Sequence, residues 1–432
     1  MWANAGLGAF VAIAYFLSRK LYQDVFTPLF MYVLVWGTDL ILFRLRFVNY
    51  DRLESRTIAI IAGSLVAFVL GCLAAGRPRS VESSKFRIAL PPLEKAIGFL
   101  MLVNLAGLFF FALKMARTFG ISAYFTDPTV IRLNYEDLGR IGALALLLLV
   151  NYPLFVCSLI HLLGTKKLRW FTAVGLCLPA LQGYLTMSRN TLAIPVATSL
   201  FVWFYFRGWR TLSPKILMRS VLVLSLIAAY FIVVGLWYGK LASSENSAYK
   251  QQDFSVNSQI ALQFMDPYIY ATGNFPTLQE AMWDLRGRRL WGVRTFFPFA
   301  RLFYAVGLLD ERPENASLKF YFVPIPCNTY TYLFSLYEDF GAAGVVLLPF
   351  LTGWTATQFY LRMKAQPSIF SIGGAACFMV VILYSVFIAL GSKFDVWYYL
   401  LLLYVISRRC AIGAHAALAG TKGSAYSATR LA

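Results

Sequence analysis

An all-α fold, a polytopic transmembrane helical bundle, is the class this sequence predicts, and three observations predict it. Of the 432 residues, 59% are hydrophobic and only 14% are charged. The apolar residues gather into repeated runs of roughly 17–23, a length that crosses a hydrocarbon core about 30 Å thick at about 1.5 Å rise per residue. Those runs also lack the polar stripe that a soluble helix of equal length would carry.

Taken in order, the runs predict about eleven spans. They lie near residues 2–18, 25–43, 57–75, 95–114, 141–163, 169–187, 190–206, 216–238, 341–361, 370–391 and 395–411. The opening run has no basic leader and no small-residue cleavage site, so it reads as a retained span. Four regions result: an N-terminal membrane bundle over 1–238 with about eight spans, one large extracytoplasmic loop over 239–340, three C-terminal spans over 341–411, and a tail over 412–432. The loop carries Trp283, Trp291, Phe296, Phe297, Phe299, Phe303 and Tyr304. A disordered linker would lack such an aromatic load, so short helices are expected there, some of them lying on the membrane surface.

Orientation follows from the placement of Lys and Arg. With the N-terminus outside, roughly half of the 39 basic residues fall in short inner segments, and of the 20 acidic residues only Asp24, Glu82 and Glu94 do. One connection disagrees: Arg44, Arg46, Arg52 and Arg56 would lie outside. The net charge of +19 is therefore mainly an orientation signature. Nucleic acid is excluded as a partner, because no basic soluble domain exists to bind it. Cys327 is the lone cysteine in an outer segment, so no outer disulfide pair forms, and no pair has zinc spacing.

Chemistry concentrates in Pro324–Gly353, where two carboxylates, a row of hydroxyls and an amide abut an apolar run. Pro324 and Pro326 stop a helix from the N-terminal side, and Asn328 suits an N-cap. A helix from there would set Asn328, Thr331, Tyr332, Ser335 and Asp339 on one face and Tyr330, Phe334 and Tyr337 on the other. Such a stripe suits a cavity wall, and it also suits an interfacial helix whose polar face meets water. Glu338 and Asp339 touch the apolar run itself, and ionisable groups at membrane depth are usually functional.

Five arginines, Arg286, Arg288, Arg289, Arg294 and Arg301, form a second constellation. Guanidinium forks bind phosphate oxygens in pairs, and the same residues would also be drawn to anionic head groups. Arg189 stands in a turn too short to be a surface loop. At membrane depth it costs about 2.5–3.5 kcal/mol without an anionic partner, whether a pyrophosphate or a carboxylate of a neighbouring span. Arg132 lies in an earlier outer loop. His161 and His415 do not face outside, so an extracytoplasmic base must be Asp, Glu or Tyr. The same absence excludes a Ser–His pair there, and the lone Asp-Phe-Gly lacks every other kinase element.

Asn328-Thr329-Tyr330-Thr331, then Asp339-Phe340-Gly341 and Gly344, opening a late span after one large outer loop, resembles the bacterial oligosaccharide repeat-unit polymerases of the O-antigen polymerase (Wzy-like) type. Ser188-Arg189 between two spans and Arg132 in an earlier loop resemble that group too. The paired outer-loop motifs of Arg followed at fixed distance by Gly, which some of these polymerases carry, are missing. O-antigen ligases resemble the chain less, because they use an outer-facing histidine.

The resemblance implies an inner-membrane glycosyltransferase of polysaccharide biosynthesis, working without metal or cofactor. Its partners would be polyprenyl-pyrophosphate-linked oligosaccharides, membrane lipids and a chain-length regulator. Asp339, Glu338 and Arg189 would be catalytic. Arg132, Arg286, Arg288, Arg289, Arg294, Asn328, Tyr330 and Tyr332 would bind substrate. A ligase and a flippase of lipid-linked sugars are the rival readings.

Overall fold

The computed structural model describes residues 2–77, 89–122, 143–186, 188, 190–207, 218, 268–285, 287, 289–313, 319–323 and 326–420. Helix dominates. In chain order the helices are α1 (Trp2–Tyr22), α2 (Pro28–Leu45), α3 (Ser55–Ala74), α4 (Leu90–Phe119), α5 (Ala143–Leu149), α6 (Asn151–Thr165), α7 (Trp170–Leu185) and α8 (Asn190–Arg207). After them come α9 (Asn274–Asp284), α10 (Phe297–Ala305), α11 (Leu333–Ala365), α12 (Ile369–Tyr384) and α13 (Phe394–Gly420). The described β structure is one antiparallel pair, β1 (Tyr321–Phe322) and β2 (Pro326–Cys327), in which Tyr321 faces Cys327.

Ten of the predicted apolar runs coincide with helices, α5 and α6 together making one of them. The remaining run, 216–238, lies apart from Met218 outside the described residues. Among the described residues, five helical stretches are long and apolar enough to cross a membrane: Pro28–Leu45, Ser55–Ala74, Leu90–Phe119, Leu144–Thr165 and Leu333–Ala365. Shorter apolar helices cover Trp170–Leu185, Asn190–Phe206 and Ile369–Tyr384.

By contacts the chain forms two compact units. The first comprises Met1–Ser80, Leu241–Leu361 and Phe378–Trp397. Thr27 begins α2 by accepting from the Phe30 N–H at 3.2 Å, and Pro28 supplies a first helical residue that needs no donor. The core of this unit is aromatic. Tyr32 stacks on Phe68 with centroids 3.7 Å apart, and its hydroxyl meets those of Tyr332 at 2.9 Å and Ser64 at 3.1 Å. The Trp36 indole donates to Ser385 at 2.9 Å. Each buried polar atom of this group thus finds a partner among apolar neighbours, which the interior requires.

The α2–α3 connection is the platform on which the loop region rests. Val48 and Tyr50 pack against Tyr268 and Ile269. The Tyr268 hydroxyl donates to the Leu42 carbonyl at 3.0 Å and accepts from the Phe47 N–H at 3.1 Å. Farther along, the Glu54 N–H donates to Gln279 at 2.7 Å and the Trp283 indole to the Glu54 carboxylate at 3.0 Å.

The second unit comprises Val81–Lys240, Arg362–Cys377 and Tyr398–Ala432. Its centre is α6, where every residue from Asn151 to His161 is buried, as expected for a helix apolar all round. Tyr152 stacks on Tyr399 with centroids 4.7 Å apart. The Asn104 amide of α4 donates to the Leu148 carbonyl and to Gln182, each at 3.3 Å.

One expectation is corrected. Asn328 caps no helix: residues 328–331 are non-helical and α11 begins at Leu333. Tertiary bonds override the local cap, because the Tyr332 N–H is taken by the Ser385 carbonyl at 2.8 Å. The single polar face from Asn328 to Asp339 therefore does not form. Only Ser335 and Asp339 of that set share the helix.

Candidate functional site

α11 is broken where polar sequence becomes apolar. Gly341 has φ 64° and ψ −149°, a conformation closed to residues with a side chain. A Cβ there would also lie 2.9 Å from a terminal nitrogen of Arg289. A helix end leaves carbonyls in need of donors. At this break the carbonyls of Glu338 and Asp339 accept from the N–H groups of Leu290 at 3.2 Å and Trp291 at 3.3 Å.

The two side chains complete the junction. Asp339 is fully buried, and its oxygens accept from the backbone N–H groups of Arg294 at 3.1 Å and Thr295 at 2.6 Å. Beside it, Arg294 Nε donates to Glu338 Oε2 at 3.0 Å, the two side chains being 22% and 10% exposed. Charge-assisted bonds of this kind are shorter and stronger than neutral ones. Segment 290–296 is thus pinned to the head of the long apolar part of α11 by five donors. Trp291 sits in it with φ 50°, rare for a bulky residue, and the residue is 80% exposed.

More guanidinium lies close by. Arg289 is over the Tyr337 ring at 5.0 Å and Arg56 over the same ring at 5.6 Å, with Arg56 also donating to the Tyr337 hydroxyl. Three arginines and two carboxylates therefore surround the turn of α11 that ends at Gly341.

The other sequence-predicted residues divide. Tyr330 is buried, stacks on Phe334 with centroids 4.8 Å apart and donates its hydroxyl to the Lys319 carbonyl. Burial pushes its phenol up, with the charges of Cys327, Glu338 and Asp284 adding to the shift. Tyr332 belongs to the Tyr32–Ser64 network described above. Asn328 is half-buried and makes no side-chain hydrogen bond to another described residue. Arg301 lies over the Phe297 ring at 5.3 Å. Arg132, Arg189, Arg286 and Arg288 lie outside the described residues.

Sequence reasoning missed the backbone of Arg294 and Thr295, Arg56, and the ring of Tyr337. Thr295 and Arg56 carry no motif, and only the chain's return from some 45 residues away brings 294–295 to Asp339. Among the described residues no group of three His, Cys, Asp or Glu is placed to hold a metal ion. Comparison with protein-family models, with curated proteins and with solved structures finds no match to this chain.

Proposed function

We propose that this chain is a polymerase of oligosaccharide repeat units, an inner-membrane enzyme of about eleven spans whose site faces the extracytoplasmic side. One observation carries the reading: arginines and a carboxylate pair meet at the head of a long apolar helix, at the Gly341 break. That is where a lipid-held diphosphate and a sugar hydroxyl would have to be handled together.

In this reading the donor glycan is linked through pyrophosphate to a polyprenyl carrier, and the acceptor is the terminal sugar of another carrier-linked unit. The acceptor oxygen attacks the anomeric carbon of the donor. The bond from that carbon to the pyrophosphate oxygen breaks, and its electron pair leaves with the carrier pyrophosphate. Fixed guanidiniums of Arg289 and Arg294 meet the growing negative charge, which stabilises the transition state without a cation. The acceptor proton goes to Glu338.

The geometry supports this division of roles. Both oxygens of Asp339 are held by backbone donors, whereas Glu338 is bound through the side chain of Arg294. An arriving pyrophosphate competes for Arg294 and leaves the Glu338 carboxylate able to accept a proton. Asp339 is then the anchor that sets the distance between the two. The exposed ring of Trp291 offers a face on which a sugar can stack.

The test is a ladder assay with purified protein and carrier-linked repeat units. Glu338→Gln should lower the rate by about 100-fold or more, the usual contribution of a general base. A wild-type ladder that persists unchanged in Glu338→Gln and Arg294→Lys removes this site. A single transfer to a foreign acceptor, with no ladder, would make the chain a ligase.

A flippase is the second reading, and the interruption of α11 at Gly341 favours it, because transporters build sites from discontinuous helices. Movement of labelled carrier-linked sugar across vesicles, without chain growth, would support it.

A further inference from the structure

A cavity of about 510 Å³ opens among α1, α2 and α3, within the size range of small-ligand sites. Leu7 of α1, Leu40 and Phe43 of α2, and Ile58, Ile61 and Leu65 of α3 give it an apolar wall. Arg44, Arg46 and Arg52 line it as well, and all three are exposed. The arrangement is polarised along the chain. Leu7, Leu40, Ile61 and Leu65 come from the bodies of the helices, whereas Arg44 shares the last turn of α2 with Phe43, Arg46 caps it with φ 53°, and Arg52 follows in the connection beside Leu53. Among the described residues none of the three forms an ion pair.

This is also the connection that breaks the Lys and Arg asymmetry of the sequence. Three guanidiniums on the wrong side for orientation, beside an apolar slot, need another account. A phosphate satisfies guanidinium forks in pairs, and an aliphatic chain suits the wall. A head group bearing its own cation would be set against the three arginines. The cavity shares no lining residue with the Arg294–Glu338 junction.

We propose that this cavity binds an anionic glycerophospholipid, with its phosphate at Arg44, Arg46 and Arg52 and an acyl chain along α2 and α3. The site concerns binding, not turnover, and stands whether or not the chain is a polymerase.

Thermal unfolding of the purified full-length protein in neutral detergent tests it, with phosphatidylglycerol, phosphatidylcholine, polyprenyl phosphate or inorganic phosphate added. Phosphatidylglycerol should raise the midpoint by several degrees and the other three should not. Arg46→Gln with Arg52→Gln should raise the half-saturating concentration by about tenfold or more. Ile58→Trp, which fills the slot and keeps every arginine, should do the same. Should a variant fail to fold, the wild-type comparison decides alone. Equal stabilisation by phosphatidylcholine or inorganic phosphate, or an equal or stronger response to polyprenyl phosphate, overturns the proposal. So does a full response in the folded variants.

Discussion

Among the described residues, two places set an arginine against a glutamate, and they do so differently. At the α11 break, Glu338 and Asp339 hold Arg294 with both its side chain and its backbone, and the carboxylates are nearly or fully buried. In the second unit, Glu94 accepts from Arg169 at 2.8 Å and meets His161 Nε2 at 3.2 Å, while the His161 Nδ1 lies 3.1 Å from Thr172. Arg169 there is 52% exposed. One pair fixes a chain segment on a helix end; the other ties side chains of neighbouring helices, from the buried His161 out to the half-exposed Arg169. Burial and backbone donors, more than the presence of an ion pair, decide what each is worth.

The largest expected effect tests that contrast directly. Asp339→Ala strips two part-buried backbone N–H groups of their fully buried acceptor, and each such charged bond contributes about 1.5–3 kcal/mol. A loss of about 3 kcal/mol or more in unfolding free energy is expected, with 290–296 opened to protease. Asp339→Asn, which keeps an acceptor, should lose less. If Asp339→Ala unfolds like wild type, the anchoring role is wrong.

Next in size is Gly341→Ala, expected to cost about 1–3 kcal/mol, because alanine disfavours this backbone and its methyl meets Arg289. Thermal unfolding in detergent measures it. Insensitivity there would mean that α11 runs through the break.

Glu94→Gln should change stability by no more than about 1 kcal/mol, the range of half-exposed ion pairs. A loss as large as that of Asp339→Ala would erase the distinction drawn between the two regions.

The smallest effect concerns a third carboxylate. Burial raises the pKa of Glu280, and the charges of Asp51 and Glu54 raise it further. A carboxyl raised on folding favours the folded state below its ordinary value and loses that contribution as pH rises through the raised one. Glu280→Gln should therefore flatten the fall in unfolding temperature above the ordinary carboxylate range. A wild-type profile that rises with pH over that range would reverse the sign.

What the sequence made legible was set by periodicity. Long apolar runs placed the helices because burial in lipid or core demands them whatever the partners are. The Asp-Phe-Gly step was readable as a boundary, and Gly341 does break the helix there. The local cap at Asn328 failed because the Ser385 carbonyl, distant in sequence, took the Tyr332 N–H, while the Tyr330 hydroxyl reached the Lys319 carbonyl. Likewise five arginines were visible as a cluster, but not that Arg294 would pair with Glu338 while Arg289 stacked on Tyr337. Such pairings depend on where the returning chain docks, and spacing along it carries no record of that.

α3 and α11 touch through their main chains. A methyl at Gly71 would lie 2.0 Å from the Phe350 carbonyl oxygen, and one at Gly353 would lie 2.3 Å from that of Phe68. Neighbours meshed this closely cannot slide past one another without parting first. The C-terminal length of α11 is thereby clamped, while the eight residues ahead of Gly341 lie beyond the break and are held by other contacts. Any swing at Gly341 must therefore carry Glu338 and Asp339 together with the 290–295 segment they hold.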